Sequence, residues 1–364
     1  MKSSLLNMFY LIFGLILQLI PNAGTCLGAE YVSVMCYNVE NLFDTTHDSG
    51  KNDWEFLPKN TPDKMENCAL IEESWYRRRC VYGDWTADRL NLKLDQIKSA
   101  VTKGNELPDI LGVVEIENHT AASLLSEKLG YDDFVITKSP DERGVDVAVF
   151  YKKSSTLNMI EAKEYRLKGA PFDDNPSRNI LSVDFRLFDD YIVSIVLVHF
   201  PSQASPAAYR ATAAENVKEV LEKKMKDNQK VHLIVMGDFN VDDSDVPNAV
   251  DDILVKEKLF YDVHTLKIEK KGKELSEGSY FYIREKAWRR FDRFLISQNL
   301  TDNSGIDVDI ESYKIKNQRF LSVPYTKGKT TIFIPNRYNF LSFTKSEAGF
   351  SDHFPIMVSI KKVN

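Results

Sequence analysis

The sequence predicts a mixed α/β protein in which β-sheets are covered by a few helices. Apolar runs of strand length recur along the chain, and segments with helical spacing of apolar residues lie between some of them. With 43% hydrophobic and 27% charged residues, the composition is that of a globular protein. No repeat, low-complexity tract or linker divides residues 30–364, which predicts one domain with a polar, irregular surface insertion at about 44–85.

The charge balance limits the classes of partner. The 364 residues carry 47 Lys and Arg against 53 Asp and Glu, a formal net charge of -6. This balance argues against a protein that coats nucleic acid through a wide basic surface. It does not argue against an enzyme that binds a few phosphates with one local cluster of basic groups.

The first element is a predicted signal peptide over residues 1–29. Lys2 precedes the apolar run Met8–Ile20, and small residues follow at 25–29, which is the three-part layout of a secretory signal. The run is short for a membrane span, although an uncleaved anchor is the alternative. Cys26 is an alternative lipidation site, but Thr25 before it departs from the usual lipobox. The interpretation predicts an exported protein, periplasmic or extracellular, with no stable membrane insertion after cleavage.

The other three cysteines suggest structural roles. Cys36 lies in an apolar run and is predicted to be buried. Cys68 and Cys80 lie in the polar insertion and could form a disulfide in an oxidising compartment, although spacing alone says nothing of their geometry. The chain has no CxxC pair and no HExxH segment, so a zinc site of familiar spacing has no support.

The strands are predicted from apolar runs that suit burial on both faces. The predicted strands are 32–37, 109–114, 145–151, 181–187, 191–199, 231–236, 280–283, 290–296, 312–315 and 354–360.

Three helices are predicted from spacing and capping signals. Leucine, isoleucine and valine recur at helical spacing in the segment 86–103, which Gly104 ends. A second helix is predicted over 121–129, closed by Gly130. Ser205 as N-cap and Pro206 at the first helical position predict a third helix that reaches about Lys226.

Polar side chains with catalytic potential follow or precede the apolar strands. Segments rich in carboxylates, carboxamides and imidazoles stand there: 38–41 (NVEN), 115–118 (EIEN), His199, 237–240 (GDFN), 290–293 (RFDR) and 351–353 (SDH). Strand ends are rigid positions where catalytic groups are commonly mounted. Hard oxygen donors without thiolates favour Mg²⁺, with Mn²⁺ or Ca²⁺ as alternatives. Because imidazoles can move protons, the set predicts metal-assisted hydrolysis of a phosphoester.

Six segments resemble the ordered motifs of the endonuclease/exonuclease/phosphatase superfamily, which includes deoxyribonuclease I, exonuclease III-type nucleases, neutral sphingomyelinases and inositol polyphosphate 5-phosphatases. They are MCYNVENLFD, GVVEIEN, VLVHFPSQ, VMGDFNVDD, RRFDRFLIS and FSDHFPI, in family order between residues 32 and 360. The resemblance implies a four-layer α/β/β/α sandwich of two mostly antiparallel sheets flanked by helices.

The resemblance also implies a metal site and a phosphate site. Glu115 would be the principal metal ligand, with Asp352 and Glu40 near it. Asn38 would orient the phosphate or a metal-bound water. Asn240 and Arg178 would contact the phosphate.

The acid–base residues are implied in the same way. Asp238 would position or deprotonate the attacking water. His353 would bind or protonate the phosphate, with Asp292 setting its tautomer through the other ring nitrogen. His199 matches the second active-site histidine of the deoxyribonuclease I branch.

Other polar and aromatic residues have plainer interpretations. Glu117 is the less favoured glutamate of its motif, and the acidic residues after GDFN could hold calcium but are more simply a solvated loop. The segment Arg77–Arg79 could contact a phosphate backbone or be a solvated charge run. The aromatic residues at 280–282 and Trp288 could stack on a base or sugar, or simply pack in a strand.

Three functional hypotheses remain open from the sequence. The first is an exported metal-dependent endonuclease acting on DNA or RNA, a monomer with no protein partner implied. The second is an enzyme acting on a small or lipid phosphoester; the segment 287–293 departs from the Trp-Cys-Asp-Arg signature of the inositol phosphatases. The third is a binding protein that retains the fold, which the complete set of site residues argues against.

Overall fold

The computed structural model of the chain describes residues 30–104, 106–256, 260–271, 278–342 and 344–363. The predicted signal peptide, including Cys26, lies outside these residues. The strands, numbered in chain order, are β1 (Tyr31–Leu42), β2 (Ile110–Ile116), β3 (Asp133–Ile136), β4 (Asp146–Tyr151), β5 (Leu157–Tyr165), β6 (Ile180–Leu187), β7 (Tyr191–His199), β8 (His232–Asp238), β9 (Phe260–Asp262), β10 (Tyr280–Tyr282), β11 (Ala287–Arg289), β12 (Asp292–Ser297), β13 (Ile306–Ile315), β14 (Ser322–Lys327), β15 (Thr330–Pro335) and β16 (Ile356–Lys362).

The α-helices are α1 (Lys64–Leu70), α2 (Ser74–Tyr82), α3 (Ala87–Thr102), α4 (His119–Leu129), α5 (Ala207–Asp227) and α6 (Val263–Lys271). Short 3₁₀ turns occur at Trp54–Phe56, Gln298–Leu300 and Arg319–Leu321, and a π-helical turn at Ala249–Leu254.

Two six-stranded sheets form the centre of the molecule. Sheet A has the order β13-β16-β1-β2-β4-β3, and sheet B has the order β5-β6-β7-β8-β12-β9. Neighbouring strands are antiparallel except for the pairs β1–β2 and β7–β8. The hairpins β10–β11 and β14–β15 form two further, two-stranded sheets.

Three apolar clusters stack the elements into four layers. The central cluster joins sheet A to sheet B, for example Val34 and Ile110 with Val183 and Phe294. A second cluster packs α3 and α4 on the outer face of sheet A. The third packs α5 on the outer face of sheet B. The predicted α/β/β/α sandwich of two mostly antiparallel sheets is therefore confirmed.

The three predicted helices form, but α4 begins at His119, two residues before the predicted start at 121, and α5 begins one residue late. The Thr86 side chain accepts a bond from Arg89 N at the start of α3, and Gly130 ends α4 with a φ of 84°. The prediction for α5 was wrong by one residue. Pro206 occupies the capping position, and the first helical residue is Ala207.

The insertion at 44–85 is not irregular, contrary to the sequence prediction. It contains α1 and α2, and a disulfide joins Cys68 of α1 to Cys80 of α2 with their Cα atoms 5.4 Å apart. The apolar residues of these helices do not mark a core-facing stripe, because most of them are exposed, among them Met65, Leu70, Trp75, Tyr76 and Tyr82. Cys36 is free and buried, as predicted.

Several strands escaped prediction because they are not apolar runs. Strand β5 lies at the edge of sheet B, and after Leu157 most of its side chains are exposed. Strand β1 continues beyond Tyr37 to Leu42 and carries buried polar residues there.

No helix within the described ranges is both long and apolar enough to cross a membrane.

Candidate active site

The strand-end residues meet where the two sheets share an edge. Asn38, Glu40 and Glu115 belong to sheet A, whereas His199, Asp238 and Asp292 belong to sheet B. Asp352 and His353 lie in the loop that leads into β16 of sheet A. In sheet B, Asp238 stands in register with both His199 and Asp292. Side chains of Asn38 and His353 cross to sheet B, so the cluster exists only because the sheets pack together.

The backbone bends sharply where these strands end. Glu40, Glu115 and Asn240 adopt left-handed conformations with φ of 52°, 67° and 50°. The strand registers also shift between Asn38 and Leu42 and between Val114 and Ile116. Such irregularities re-aim side chains at the end of a strand.

Gly237 lets β8 approach β7 closely just before Asp238. Its φ is 144°, and a Cβ atom there would lie 1.9 Å from the Val198 carbonyl oxygen. Any side chain would separate the two strands. The glycine of the GDFN motif is therefore required by packing at the point where the site begins.

His353 is held on two sides. Its Nδ1 lies 2.7 Å from Asp292 Oδ2, and the Tyr280 ring lies over the imidazole with the centroids 4.9 Å apart. Burial opposes the charged imidazole, but Asp292 and Asp238 raise the pKa of His353 well above its ordinary value. These carboxylates favour the protonated imidazole, with Nδ1 directed to Asp292.

Asp238 is buried among groups of both signs. One carboxylate oxygen accepts a bond from Asn38 Nδ2 at 3.0 Å, and the other accepts one from Asn240 N at 2.8 Å. Burial raises the pKa of Asp238 to about 7, opposed by His353 and reinforced by Asp292 and Glu115. His353 Nε2 is 3.8 Å from Asp238 Oδ2, beyond hydrogen-bond distance.

Asn38 links the two sheets through its carboxamide. Its Oδ1 accepts a bond from Glu40 N at 3.0 Å, which turns Nδ2 towards Glu115 Oε1 at 3.2 Å and towards Asp238. Ser351 Oγ in turn donates to the Asn38 carbonyl, which ties the SDH segment to β1.

His199 is buried, and its surroundings favour the neutral imidazole. Its Nε2 lies 3.9 Å from Glu115 Oε1 and 3.9 Å from Asp238 Oδ2. Burial, together with the charges of Arg178 and Arg143, lowers the pKa of His199 well below its ordinary value. Its Nδ1 is buried and has no hydrogen-bond partner among the described residues.

The carboxylates of Glu115 and Asp352 are the site's candidate metal ligands. Their side chains are 19% and 18% exposed, so both face the cleft. Burial and the neighbouring Glu40 raise the pKa of Asp352 to about 7, against the lowering effect of His353 and Arg337. Such crowding of negative charge is what a divalent cation relieves.

No group of three or more His, Cys, Asp or Glu side chains is arranged for metal binding within the described ranges. Mg²⁺ does not require one, because it keeps several waters and is often held by one or two carboxylates together with substrate phosphate. The two carboxylates of Glu115 and Asp352 are therefore compatible with Mg²⁺.

The Glu40 carboxylate already has strong partners. Arg337 donates to its Oε1 from Nε at 2.9 Å and from Nη2 at 2.8 Å, and Tyr338 N donates to Oε2 at 2.8 Å. Arg337 was not among the residues predicted from the sequence, since a lone arginine in a loop carries no motif. Its position at the site is visible only in the folded chain.

Arg178 and Asn240 meet at one backbone oxygen. Arg178 Nη2 and Asn240 Nδ2 both donate to the Phe200 carbonyl, at 2.7 and 3.2 Å. Arg178 Nη1 lies 3.3 Å from Asp141 Oδ2, and the side chain is 9% exposed. Both terminal nitrogens of Arg178 therefore have protein partners.

The remaining candidates have structural partners. The three aspartates after GDFN pair with arginines: Asp242 with Arg289, Asp243 with Arg290, and Asp245 with Arg210. The Glu117 carboxylate accepts a hydrogen bond from Asp44 N. It therefore has a different partner from the Glu115 carboxylate, which accepts from Asn38. Arg79 pairs with Glu55, while Arg77 and Arg78 are exposed. Of the aromatic residues, Trp288 packs on Phe281 and Phe354.

Comparison with known proteins supports the family resemblance seen in the sequence motifs. A model of the Endonuclease/Exonuclease/phosphatase family matches residues 33–362. No curated protein matches the chain at a significant level.

Solved structures share the fold at low sequence identity. An endonuclease/exonuclease/phosphatase family protein from Bacteroides thetaiotaomicron is 16% identical, with a TM-score of 0.53, 92% of this chain covered and 99% of the other. A mannosyl-6-phosphatase from Bacteroides thetaiotaomicron is 15% identical, with a TM-score of 0.51 and coverages of 90% and 99%. A truncated TDP2 from Caenorhabditis elegans is 15% identical, with a TM-score of 0.53 and coverages of 91% and 97%.

Proposed function

The chain belongs to the endonuclease/exonuclease/phosphatase family of phosphoesterases, and from this premise we propose that it is an exported, divalent-metal-dependent phosphodiesterase acting on DNA or RNA. The observation that carries the proposal is the Asp292–His353 pair facing Asp238, with Asn38 bridging Asp238 to Glu115. These groups can supply a proton donor, a proton acceptor and neutralisation of charge around one phosphate.

His353 is suited to donate a proton to the leaving oxygen. Asp292 holds Nδ1, and the remaining Nε2 lies 3.8 Å from Asp238 Oδ2 and 4.0 Å from Asp352 Oδ1. The raised pKa of His353 favours the form of the imidazole that carries this proton. After transfer, Asp292 keeps the ring oriented for reprotonation.

Asp238 is suited to orient and deprotonate the attacking water. Its pKa of about 7 places it close to the working pH of a general base. Asn38 Nδ2 and Asn240 N fix both oxygens of the carboxylate, so the water would meet a carboxylate of defined direction. Neutral His199 lies beside it and can accept a bond from water or substrate.

Glu115 and Asp352 would hold the metal ion, with Mg²⁺ as the proposed ion and Mn²⁺ or Ca²⁺ as alternatives. A bound divalent ion supplies Lewis-acid stabilisation of the phosphate charge. Glu40 is the weaker candidate ligand of the three, because its carboxylate is bonded to Arg337 and Tyr338 N.

Export is supported by two features. The N-terminal residues have the layout of a signal peptide. The Cys68–Cys80 disulfide suits an oxidising compartment.

A second candidate is a phosphatase for a small phosphoester. It is favoured by the ion pairs of Arg79, Arg289 and Arg290, which leave fewer basic side chains for a long nucleic acid backbone. The mannosyl-6-phosphatase from Bacteroides thetaiotaomicron shows that the fold is found in an enzyme of that kind.

The test offers the purified protein supercoiled plasmid, total RNA, bis-p-nitrophenyl phosphate and p-nitrophenyl phosphate, each with Mg²⁺, Mn²⁺, Ca²⁺ or EDTA. Metal-dependent nicking or RNA cleavage is expected. In His353→Ala and in Asp238→Ala, turnover should fall by roughly a hundredfold or more, the range of a lost general acid or base.

His119→Ala is the matched control, because His119 is exposed on α4. A folded His353→Ala or Asp238→Ala variant with wild-type turnover would contradict the assignment. Hydrolysis of the synthetic esters without cleavage of either nucleic acid would favour the second candidate. A folded wild-type protein that hydrolyses none of the substrates would support a binding role.

A further inference from the structure

Arg337 stands at the mouth of the site between two carboxylates. Its Nη2 lies 2.8 Å from Glu40 Oε1 and 3.2 Å from Asp352 Oδ2. Asp352 Oδ1 is in turn 4.0 Å from His353 Nε2. The guanidinium and the imidazole therefore flank the same carboxylate from opposite sides.

The loop that carries Arg337 is held firmly. Asn336 N donates to the Leu321 carbonyl, and Phe350 N donates back to the Asn336 carbonyl. Gly349 packs so closely that a Cβ atom there would lie 1.9 Å from the Arg337 carbonyl oxygen. The backbone of Arg337 is thus fixed against the segment that leads to Asp352.

One edge of the guanidinium is anchored and the rest faces solvent. The contacts to described residues use Nε and Nη2, and the side chain is 50% exposed. An arginine fixed by carboxylates on one edge is preorganised to bind a phosphate oxygen with its other N–H groups. Less entropy is then lost when the anion binds.

The arginine predicted to face the phosphate is differently placed. Arg178 is buried, and its two terminal nitrogens are bonded to Asp141 and to the Phe200 carbonyl. Those contacts suit a residue that supports the Asn240 turn. Arg337 offers what Arg178 lacks, a fixed guanidinium with exposed N–H groups beside His353.

We infer that Arg337 is the arginine that binds a non-bridging oxygen of the substrate phosphoryl group. The inference rests on the proposed phosphoesterase function and adds a substrate-contacting residue to it. Arg337 would neutralise phosphate charge on the Asp352 side of His353, while Glu40 anchors the guanidinium.

The test measures inorganic phosphate binding by calorimetry with Mg²⁺ present, together with kcat and KM for bis-p-nitrophenyl phosphate. Arg337→Met should weaken phosphate binding and lower kcat/KM by about tenfold to a hundredfold, the range for hydrogen bonds to charged groups. Arg337→Lys keeps the charge without the planar fork, so it should recover part of both losses. Arg186→Met, an exposed arginine on β6, is the matched control.

Mn²⁺ affinity, followed by electron paramagnetic resonance, separates a direct contact from an effect through Asp352. Removing a positive charge beside the carboxylates should leave Mn²⁺ binding unchanged or tighter. Mn²⁺ binding that weakens in step with phosphate binding would overturn the inference, because Arg337 would then act through the metal ligand.

Four further outcomes are decisive. A folded Arg337→Met with wild-type phosphate affinity overturns the inference, as does a wild-type protein that binds no phosphate. If Arg337→Met does not fold, unchanged phosphate affinity and kcat/KM in Arg337→Lys overturns it. A wild-type protein that binds phosphate through Arg337 but hydrolyses no ester refutes the proposed function alone.

Discussion

Several residues of the site have a strained backbone conformation or an environment that disfavours their charge. Glu40, Glu115 and Asn240 have positive φ values, a conformation that costs non-glycine residues about 1–3 kcal/mol each. Asp238 is buried and Asp352 is half-buried, and desolvation together with neighbouring carboxylates raises the pKa of each to about 7. The surrounding packing must compensate for these costs, and the compensation places the reactive groups at fixed positions.

Asp146 has a buried carboxyl group that lies outside the site. Its effect on stability can be measured. Thr137 Oγ1 and Ser139 N donate to it, yet burial raises its pKa from 3.8 to about 6. Below the unfolded value Asp146 is protonated in both states. Its favourable contribution to stability is therefore complete there and is lost as the pH rises through about 6.

Asp146→Asn removes this titration. The free energy of unfolding of the variant, relative to wild type, should therefore rise by up to about 3 kcal/mol between pH 4 and pH 7. Urea unfolding across that range measures the difference. Asp132→Asn, an exposed replacement, is the control. Parallel pH profiles for wild type and Asp146→Asn would contradict the prediction.

At the scale of elements, helix starts and loops join distant parts of the chain. Asn118 caps α4 by accepting a bond from Ala121 N at 3.0 Å. Its Nδ2 donates to Asp44 and Asp48 in the insertion, at 3.1 and 3.0 Å. One side chain thus ends the EIEN segment, begins α4 and holds the start of the insertion.

Asn118→Ala should lower the free energy of unfolding by about 1–2 kcal/mol, because it removes a helix cap and two further hydrogen bonds. Denaturant unfolding at fixed pH measures the change. Thr120→Ala, in the exposed first turn of the same helix, should change stability by less than about 0.5 kcal/mol. Equal effects of the two substitutions would show that the Asn118 contacts are not stabilising.

At the scale of the whole molecule, the two sheets contribute different chemistry. Of the candidate metal ligands, Glu115 stands on sheet A and Asp352 lies in the loop that leads into β16, whereas His199, Asp238 and Asp292 stand on sheet B. Among the site residues described above, the hydrogen bonds that join β1 and the segment before β16 to sheet B are those of Asn38 to Asp238 and of His353 to Asp292. The packing between the sheets therefore assembles the site.

A bound divalent ion should stabilise the folded molecule, since the crowded carboxylates exist only in the folded state. Saturating Mg²⁺ or Mn²⁺ should add about 1–3 kcal/mol and raise Tm by a few degrees. Differential scanning fluorimetry with and without EDTA measures the shift. Glu115→Gln and Asp352→Asn should abolish it, whereas Glu40→Gln should retain most of it. A shift that survives in Glu115→Gln would place the ion elsewhere.

The sequence alone allowed prediction of the family, the fold class, most strands and the strand-end residues. These features are encoded locally, because an apolar strand and the polar group at its end are neighbours in the chain. Edge strand β5 and helices α1 and α2 could not be predicted, because their exposed side chains show no apolar pattern.

Only the tertiary structure decided which polar groups share partners. Arg337 contacts Glu40 and Asp352. The two terminal nitrogens of Arg178 contact the Asp141 carboxylate and the Phe200 carbonyl. It also paired the acidic residues after GDFN with arginines. Such contacts join residues distant in the chain and depend on how loops pack over two sheets. The sequence by itself thus determined the types of chemical group at the strand ends, and packing decided which of them face the cleft.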